Sequence, residues 1–132
     1  FEPIPLEFFD MDEWYEEGKI HRTLSDHMVQ SKNEVIIANI LFEEDIPFQY
    51  DVPLYADDGT FFRPDFTLQY SGEEWYIEHL GMLNVPSYSQ HWEKKKKWYV
   101  KHGFSQRLIV TDDLNGVDAK AWRSVILESL NK

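Results

Sequence analysis

Two acids in this chain stand where a carboxylate is hard to accommodate. The stretch Arg63-Pro64-Asp65-Phe66-Thr67-Leu68 is followed, one turn later, by Trp75-Tyr76-Ile77-Glu78-His79-Leu80-Gly81. Asp65 and Glu78 therefore fall on two adjacent predicted strands, each flanked by aromatic and aliphatic residues that read as core. An ionised carboxylate beside a core is costly to desolvate without a partner. Two of them about 4 Å apart would also repel by roughly 4 kcal/mol at an effective dielectric near 20. A divalent cation between them removes both costs, and oxygen ligands of this kind suit a hard cation.

Plainer readings stand beside that one. Asp65 after Pro64 also reads as a turn acceptor, although Asp is disfavoured in mid-strand. Glu78 also reads as the cross-strand partner of Arg63.

The elements that must position these acids are legible from periodicity. Ser31-Lys32-Asn33-Glu34 is a capping box leading into Val35, Ile36, Ile37, Ile40, Leu41 and Phe42, which predicts a helix with a buried face that Pro47 ends. Phe48, Tyr50, Val52 and Leu54 lie at period two, as in a half-buried strand. Asp57-Asp58-Gly59 makes a turn, Phe61 to Tyr70 a second strand, Ser71-Gly72 another turn, and Glu74 to Leu80 a third strand. Ser87 is the expected cap of a helix from Tyr88 to about His102, closed by Gly103. Arg107 to Thr111 reads as a buried strand and Val117 to Leu130 as a last amphipathic helix. The order is α-β-β-β-α-β-α, an α/β fold with a central mixed sheet flanked by helices.

The chain has 132 residues, enough for one domain with a sizeable core. We read residues 1–30 as an acidic N-terminal extension, with a short helix between Leu6 and Glu17, and residues 31–132 as the domain proper. The absence of cysteine excludes a disulfide framework and a thiolate zinc site. No apolar run approaches a membrane span and no basic-then-apolar leader opens the chain, so the expectation is a protein without membrane association, cytoplasmic by default. A start at Phe1 rather than Met fits a domain excised from a larger parent.

A net charge of −11 opposes nucleic-acid binding as a whole. The charge is uneven, however. Residues 1–17 carry seven acids and no base, which leaves 17 acids against 13 bases in the rest. Residues 91–107 hold Lys94, Lys95, Lys96, Lys97, Lys101 and Arg107 against Glu93 alone. A basic face can thus exist on an acidic protein, and the acidic extension reads as a solvated or partner-binding segment that could shield it.

The element order, with Pro64-Asp65 on the second strand and Glu78 on the third, resembles the PD-(D/E)xK superfamily of restriction-endonuclease-like nucleases over residues 31–112. More narrowly, Glu78-His79-Leu80-Gly81 with a Tyr/Trp/Lys-rich helix looks like the nuclease domains appended to bacterial superfamily 1 DNA helicases. The resemblance implies a restriction-endonuclease-like αβββαβ core and a Mg²⁺- or Mn²⁺-dependent deoxyribonuclease acting in DNA processing or repair. DNA would be its partner and a helicase fused or associated. Asp65 and Glu78 would hold the metal, Glu34 on the first helix would complete the site, and the backbone carbonyl of His79 would add a ligand. A plain helix-cap glutamate accounts for Glu34 equally well.

One departure stands out. Two residues after the second acid the family has Lys, which orients the attacking water, and this chain has Leu80. Tyr88, Trp92, Lys96, Tyr99 and Gly103 form a helical stripe, so Lys96 is the expected substitute. Lys94, Lys97 and Lys101 fall on another face and, with Arg63, would meet phosphates, while a solvated helix face explains each of them as well. His91 and His102 read as surface residues, and Trp92, Trp98 and Tyr99 as core or snorkelling aromatics. By strand alternation, His79 points away from Glu78. Leu80 also supports an alternative, a degenerate module that binds DNA or a partner protein without cutting, and the acidic surface supports a plain protein-interaction domain.

Overall fold

The computed structural model describes residues 21–22, 28–29 and 31–131. The chain divides into two compact units, Phe1–Asp45 and Ile46–Lys132. The acidic extension and the helix expected between Leu6 and Glu17 lie outside the described residues.

In the first unit, β1 (His21–Arg22) and β2 (Met28–Val29) pair antiparallel. Helix α1 (Lys32–Glu43) follows. Its start is the expected one: Ser31 Oγ accepts from the Glu34 N–H at 3.1 Å and donates to Glu34 Oε1 at 2.9 Å. The helix buries Ile37, Ala38, Ile40 and Leu41, whereas Phe42, expected on that face, is 49% exposed. It ends at Glu43, four residues before the Pro47 expected to stop it, with Asp45 in the left-handed region (φ 57°).

In the second unit a four-stranded mixed sheet has the order β3 (Phe48–Tyr50), β6 (Phe66–Tyr70), β7 (Glu73–Leu80), β8 (Leu108–Asp112). The first three run antiparallel and β8 lies parallel to β7. Between β7 and β8 the chain forms helix α2 (Pro86–Lys101) and a short 3₁₀ turn, Ser105–Arg107; helix α3 (Ala119–Leu130) closes it. The expected α-β-β-β-α-β-α order is present, as a mixed α/β protein with a central mixed sheet.

Two long strands expected from periodicity are each broken, and the breaks face one another. The first stops at Tyr50, Asp51 turns left-handed (φ 56°), and β4 (Leu54–Tyr55) starts afresh. The second splits into β5 (Phe61–Phe62) and β6 around Arg63-Pro64-Asp65. Pro64 has no N–H to give a ladder, which is why a strand cannot run through it. The gap is closed from both sides: the Asp51 N–H donates to Asp65 O at 3.1 Å, and Arg63 Nη1 donates to Asp51 O at 2.9 Å. Strands β4 and β5 become a separate hairpin with Gly59 (φ 86°) in its turn. Asp65 consequently sits immediately before β6, at the end of the sheet rather than in mid-strand.

Alternation along β7 sends Tyr76, Glu78 and Leu80 to one face and Ile77 and His79 to the other. The first face packs on α2, burying Tyr76, Leu80, Trp92, Trp98 and Tyr99 together. The second meets α3, whose Trp122 ring lies 4.6 Å from that of His79 and whose indole donates to Asp112 O at 2.8 Å. Helix α2 starts differently from expectation, with Val85 as N-cap and Pro86 in the first turn, so Ser87 is no cap. Proline suits that place because the N–H it lacks would have no helical partner. Gly103 (φ 78°) follows the end of α2, as expected. Helix α3 begins at Ala119, capped by Asp118, two residues later than expected. No helix among the described residues is long and apolar enough to cross a membrane.

Candidate active site

The break at Pro64 and the antiparallel register together bring the two acids side by side. Phe66 pairs with Ile77, so one step further along the ladder Asp65 stands across from Glu78. Two bonds tie Asp65 to the neighbouring strand. Asp65 Oδ2 accepts from the His79 N–H at 2.7 Å, and the Asp65 N–H in turn bonds the Glu78 carboxylate.

Glu78 is 3% exposed. Burial alone pushes its carboxyl above the ordinary range, and the lysine ammonium beside it, a phenol and the Asp65 N–H pull the other way. The ammonium belongs to Lys95, whose Nζ lies 2.6 Å from Glu78 Oε2, donates to Arg63 O at 2.9 Å, and sits 5.9 Å from the Phe62 ring centroid. The phenol is Tyr99, which donates to the same Oε2 at 2.6 Å. Burial and the adjacent Glu78 charge raise the Tyr99 hydroxyl far above its usual value, so it stays a proton donor. An ionic bond this buried is costly to form and costly to break on one side only.

Asp65, Glu78 and Lys95 line a cavity of 140 Å³ together with Leu80, Tyr88, His91 and Trp92. Tyr88 hydroxyl reaches the His79 carbonyl at 3.4 Å, and burial raises that hydroxyl too. The cavity has room for several waters, and both acids line it.

The lysine that reaches the acid from α2 is thus Lys95, and the expectation for Lys96 is corrected. Lys96 is exposed and pairs with Glu93 at 3.4 Å. At 3.6 residues per turn the mean direction of Tyr88, Trp92 and Tyr99 lies about 40° from Lys95 and about 60° from Lys96. The spacing 88, 92, 95, 99 was therefore the better stripe in the sequence itself. The Leu80 side chain, 6% exposed, packs in the apolar part of the same cavity and offers no charge. Tyr99 and Tyr88 as hydroxyl donors were missed, because periodicity marks an inward aromatic without saying which acceptor it meets.

The remaining predicted residues are placed as follows. Glu34 belongs to the first unit, where its carboxylate accepts from Ser31. The His79 side chain points away from Glu78, as expected; its Nδ1 lies 2.8 Å from Thr111 Oγ1, and burial lowers its proton affinity. The Arg63 guanidinium holds Asp51 O, and the ion pair of Glu78 is with Lys95 in place of the Arg63 considered for it. Lys94, Lys97 and Lys101 are exposed on α2. Trp92, Trp98 and Tyr99 are buried as core residues.

Among the described residues no group of three or more His, Cys, Asp or Glu side chains is arranged to hold a metal ion. Two carboxylates lining one cavity match the manner in which Mg²⁺ is held, by one or two protein carboxylates with waters and substrate oxygens completing the shell. The donor set present fits that ion.

No family model and no curated protein matches this chain. Among solved structures, the cryo-EM structure of a DrdV–DNA complex is similar, with a TM-score of 0.47 and 18% identity, covering 97% of this chain. This chain spans 14% of the length of that one.

Proposed function

We propose that the chain is a metal-dependent phosphodiesterase domain that cuts DNA by attack of water on phosphorus. The observation that supports this most is that Asp65 and Glu78 line one cavity, with the half-buried Lys95 ammonium set against Glu78 at 2.6 Å.

Asp65 and Glu78, with the carbonyl of His79, would hold Mg²⁺ or Mn²⁺. Bound there, such an ion acidifies a coordinated water and neutralises charge on the scissile phosphate. Lys95 supplies the positive charge absent at Leu80, beside the water and the phosphoryl oxygens. Tyr99 and the Asp65 N–H hold the Glu78 carboxylate in one orientation, so that no reorganisation is needed when substrate arrives. The exposed Lys94, Lys97 and Lys101 would take phosphates of the strand, which positions it without reading sequence. The resemblance further implies Glu34 as a third acid and a helicase as neighbour; Glu34→Gln, which keeps an acceptor for Ser31, tests the former.

Cleavage of labelled single- and double-stranded DNA, with and without Mg²⁺ or Mn²⁺, tests the reading on the wild type, Asp65→Ala and Lys95→Ala. Metal-dependent cutting that both substitutions abolish supports it. Salt-sensitive DNA binding without cutting under either metal leaves a binding module in its place.

A further inference from the structure

Phosphodiester hydrolysis moves protons at two places, at the attacking water and at the leaving oxygen. The residues assigned above serve the first. Building on the phosphodiesterase reading, we propose that His91 is the second proton carrier, the general acid that protonates the leaving oxygen.

His91 lines the same cavity as Asp65, Glu78 and Lys95. It is exposed and makes no hydrogen bond or ion pair among the described residues; what holds it is the edge of the Phe62 ring, 6.1 Å away between centroids at 66°. On α2 it precedes Lys95 by four residues, one helical turn, so both project to the same side. The Phe62 ring lies against both of them.

The other proton-bearing groups of the cavity are already engaged. Lys95 is held by Glu78 and by Arg63 O, and the Tyr88 hydroxyl by the His79 carbonyl. Leu80 and Trp92 carry no proton that hydrolysis can use. The groups facing His91 are Asp65 and Glu78 from the sheet and Tyr88 and Lys95 from its own helix, while the hairpin against it presents the neutral Phe62. An exposed imidazole with both nitrogens uncommitted among the described residues, lining the same cavity as the acids, is placed to give a proton to an oxygen departing toward solvent.

The step balances without a co-reactant. Water oxygen forms a new bond to phosphorus, the bond from phosphorus to the leaving oxygen breaks, and its electron pair goes to that oxygen. The leaving oxygen takes the imidazolium proton. The attacking water gives up one proton to solvent as it becomes the hydroxyl on phosphorus, and the imidazole regains its proton from solvent.

Leaving-group dependence tests this. An ordinary DNA phosphodiester needs a proton on its departing alkoxide; the same DNA with sulfur in place of the leaving oxygen departs as a thiolate and needs none. His91→Ala and His91→Asn should each slow the ordinary substrate by about 10²-fold or more, and cleave the sulfur-bridged one within about threefold of wild type. Mg²⁺ affinity of both variants, measured by titration calorimetry, should match that of the wild type. An equal loss on both substrates would make His91 a phosphate contact or a structural residue and overturn the proposal, as would no loss on either. A wild type that cleaves neither substrate would remove the phosphodiesterase reading itself, and this proposal with it.

Discussion

Glu78 and His79 are consecutive residues of one strand, both almost fully buried, and their surroundings could hardly differ more. Glu78 faces α2, where it meets an ammonium, a phenol and a cavity. His79 faces α3, where its imidazole bonds a threonine hydroxyl and is covered by an indole. On the second side a neutral pair satisfies itself and is sealed, which is how a buried polar group contributes to structure. On the first a charge is kept beside space that solvent can enter. Burial of a titratable group therefore says little about function; the sign of its partner and the presence of room beside it say more.

The comparison breaks most visibly if Asp65 is removed. Asp65→Ala should lower DNA cleavage by about 10³-fold or more while leaving far-UV circular dichroism unchanged. A variant that retains substantial activity would deprive the α2 side of its special status.

Next in size is the lysine. Lys95→Met leaves Glu78 buried without its cation, and should cost roughly 3 to 5 kcal/mol in urea unfolding and about 10² in cleavage rate. Lys96→Ala, whose ion pair is exposed at the surface, should alter stability by less than about 0.5 kcal/mol and rate by less than about twofold. Equal effects of the two substitutions would contradict the geometry of α2.

The α3 side should respond in stability alone. Thr111→Val removes the hydroxyl that His79 Nδ1 meets and should cost about 1 to 2 kcal/mol, with kcat within about twofold of wild type at a temperature where the variant is folded. A large loss of kcat would show that the two faces are coupled through β7.

The smallest effect is on pH dependence. Burial raises the Glu78 carboxyl above the ordinary glutamate value of about 4.5, so between the unfolded and folded values the native state binds more protons than the unfolded one. The contribution is fully present below about 4.5 and is lost as pH rises through the folded value. Unfolding free energies of the wild type relative to Glu78→Gln should accordingly decline as pH is raised from about 4 toward neutrality. A difference that rises over that range instead would mean that the ammonium and phenol outweigh burial.

Much of the fold was legible because it rests on local patterns. The Ser31 cap, the Ser71-Gly72 turn (φ 53° and 79°) and Gly103 each act within four residues of their own position, a range that reading along a chain covers. The strand breaks were harder, since period two runs on across Asp51 and across Pro64 as if nothing happened. Pro64 marks the second break locally, but what sets the first break against it is a pair of backbone and side-chain bonds from Asp51 to Arg63 and Asp65, more than ten residues away in sequence.

The site divides along the same line. Asp65 and Glu78 could be chosen from sequence because an acid among core residues is conspicuous by composition, and strand adjacency follows from a two-residue turn. A lysine on the following helix could be anticipated only through the resemblance, which implies a lysine where this chain has Leu80. Which lysine it is depends on the rotation of α2, and Trp92 and Tyr99 set that rotation by packing on the sheet. One residue along a helix is a turn of 100°, enough to exchange a buried ion pair for a solvated one. The amino-acid sequence by itself determined the order of elements and the acid pair. Tertiary packing alone decided that Lys95 and not Lys96 pairs with Glu78, and that Glu78 opens on a cavity while His79 is closed in, because partners are chosen by distance in space and not along the chain.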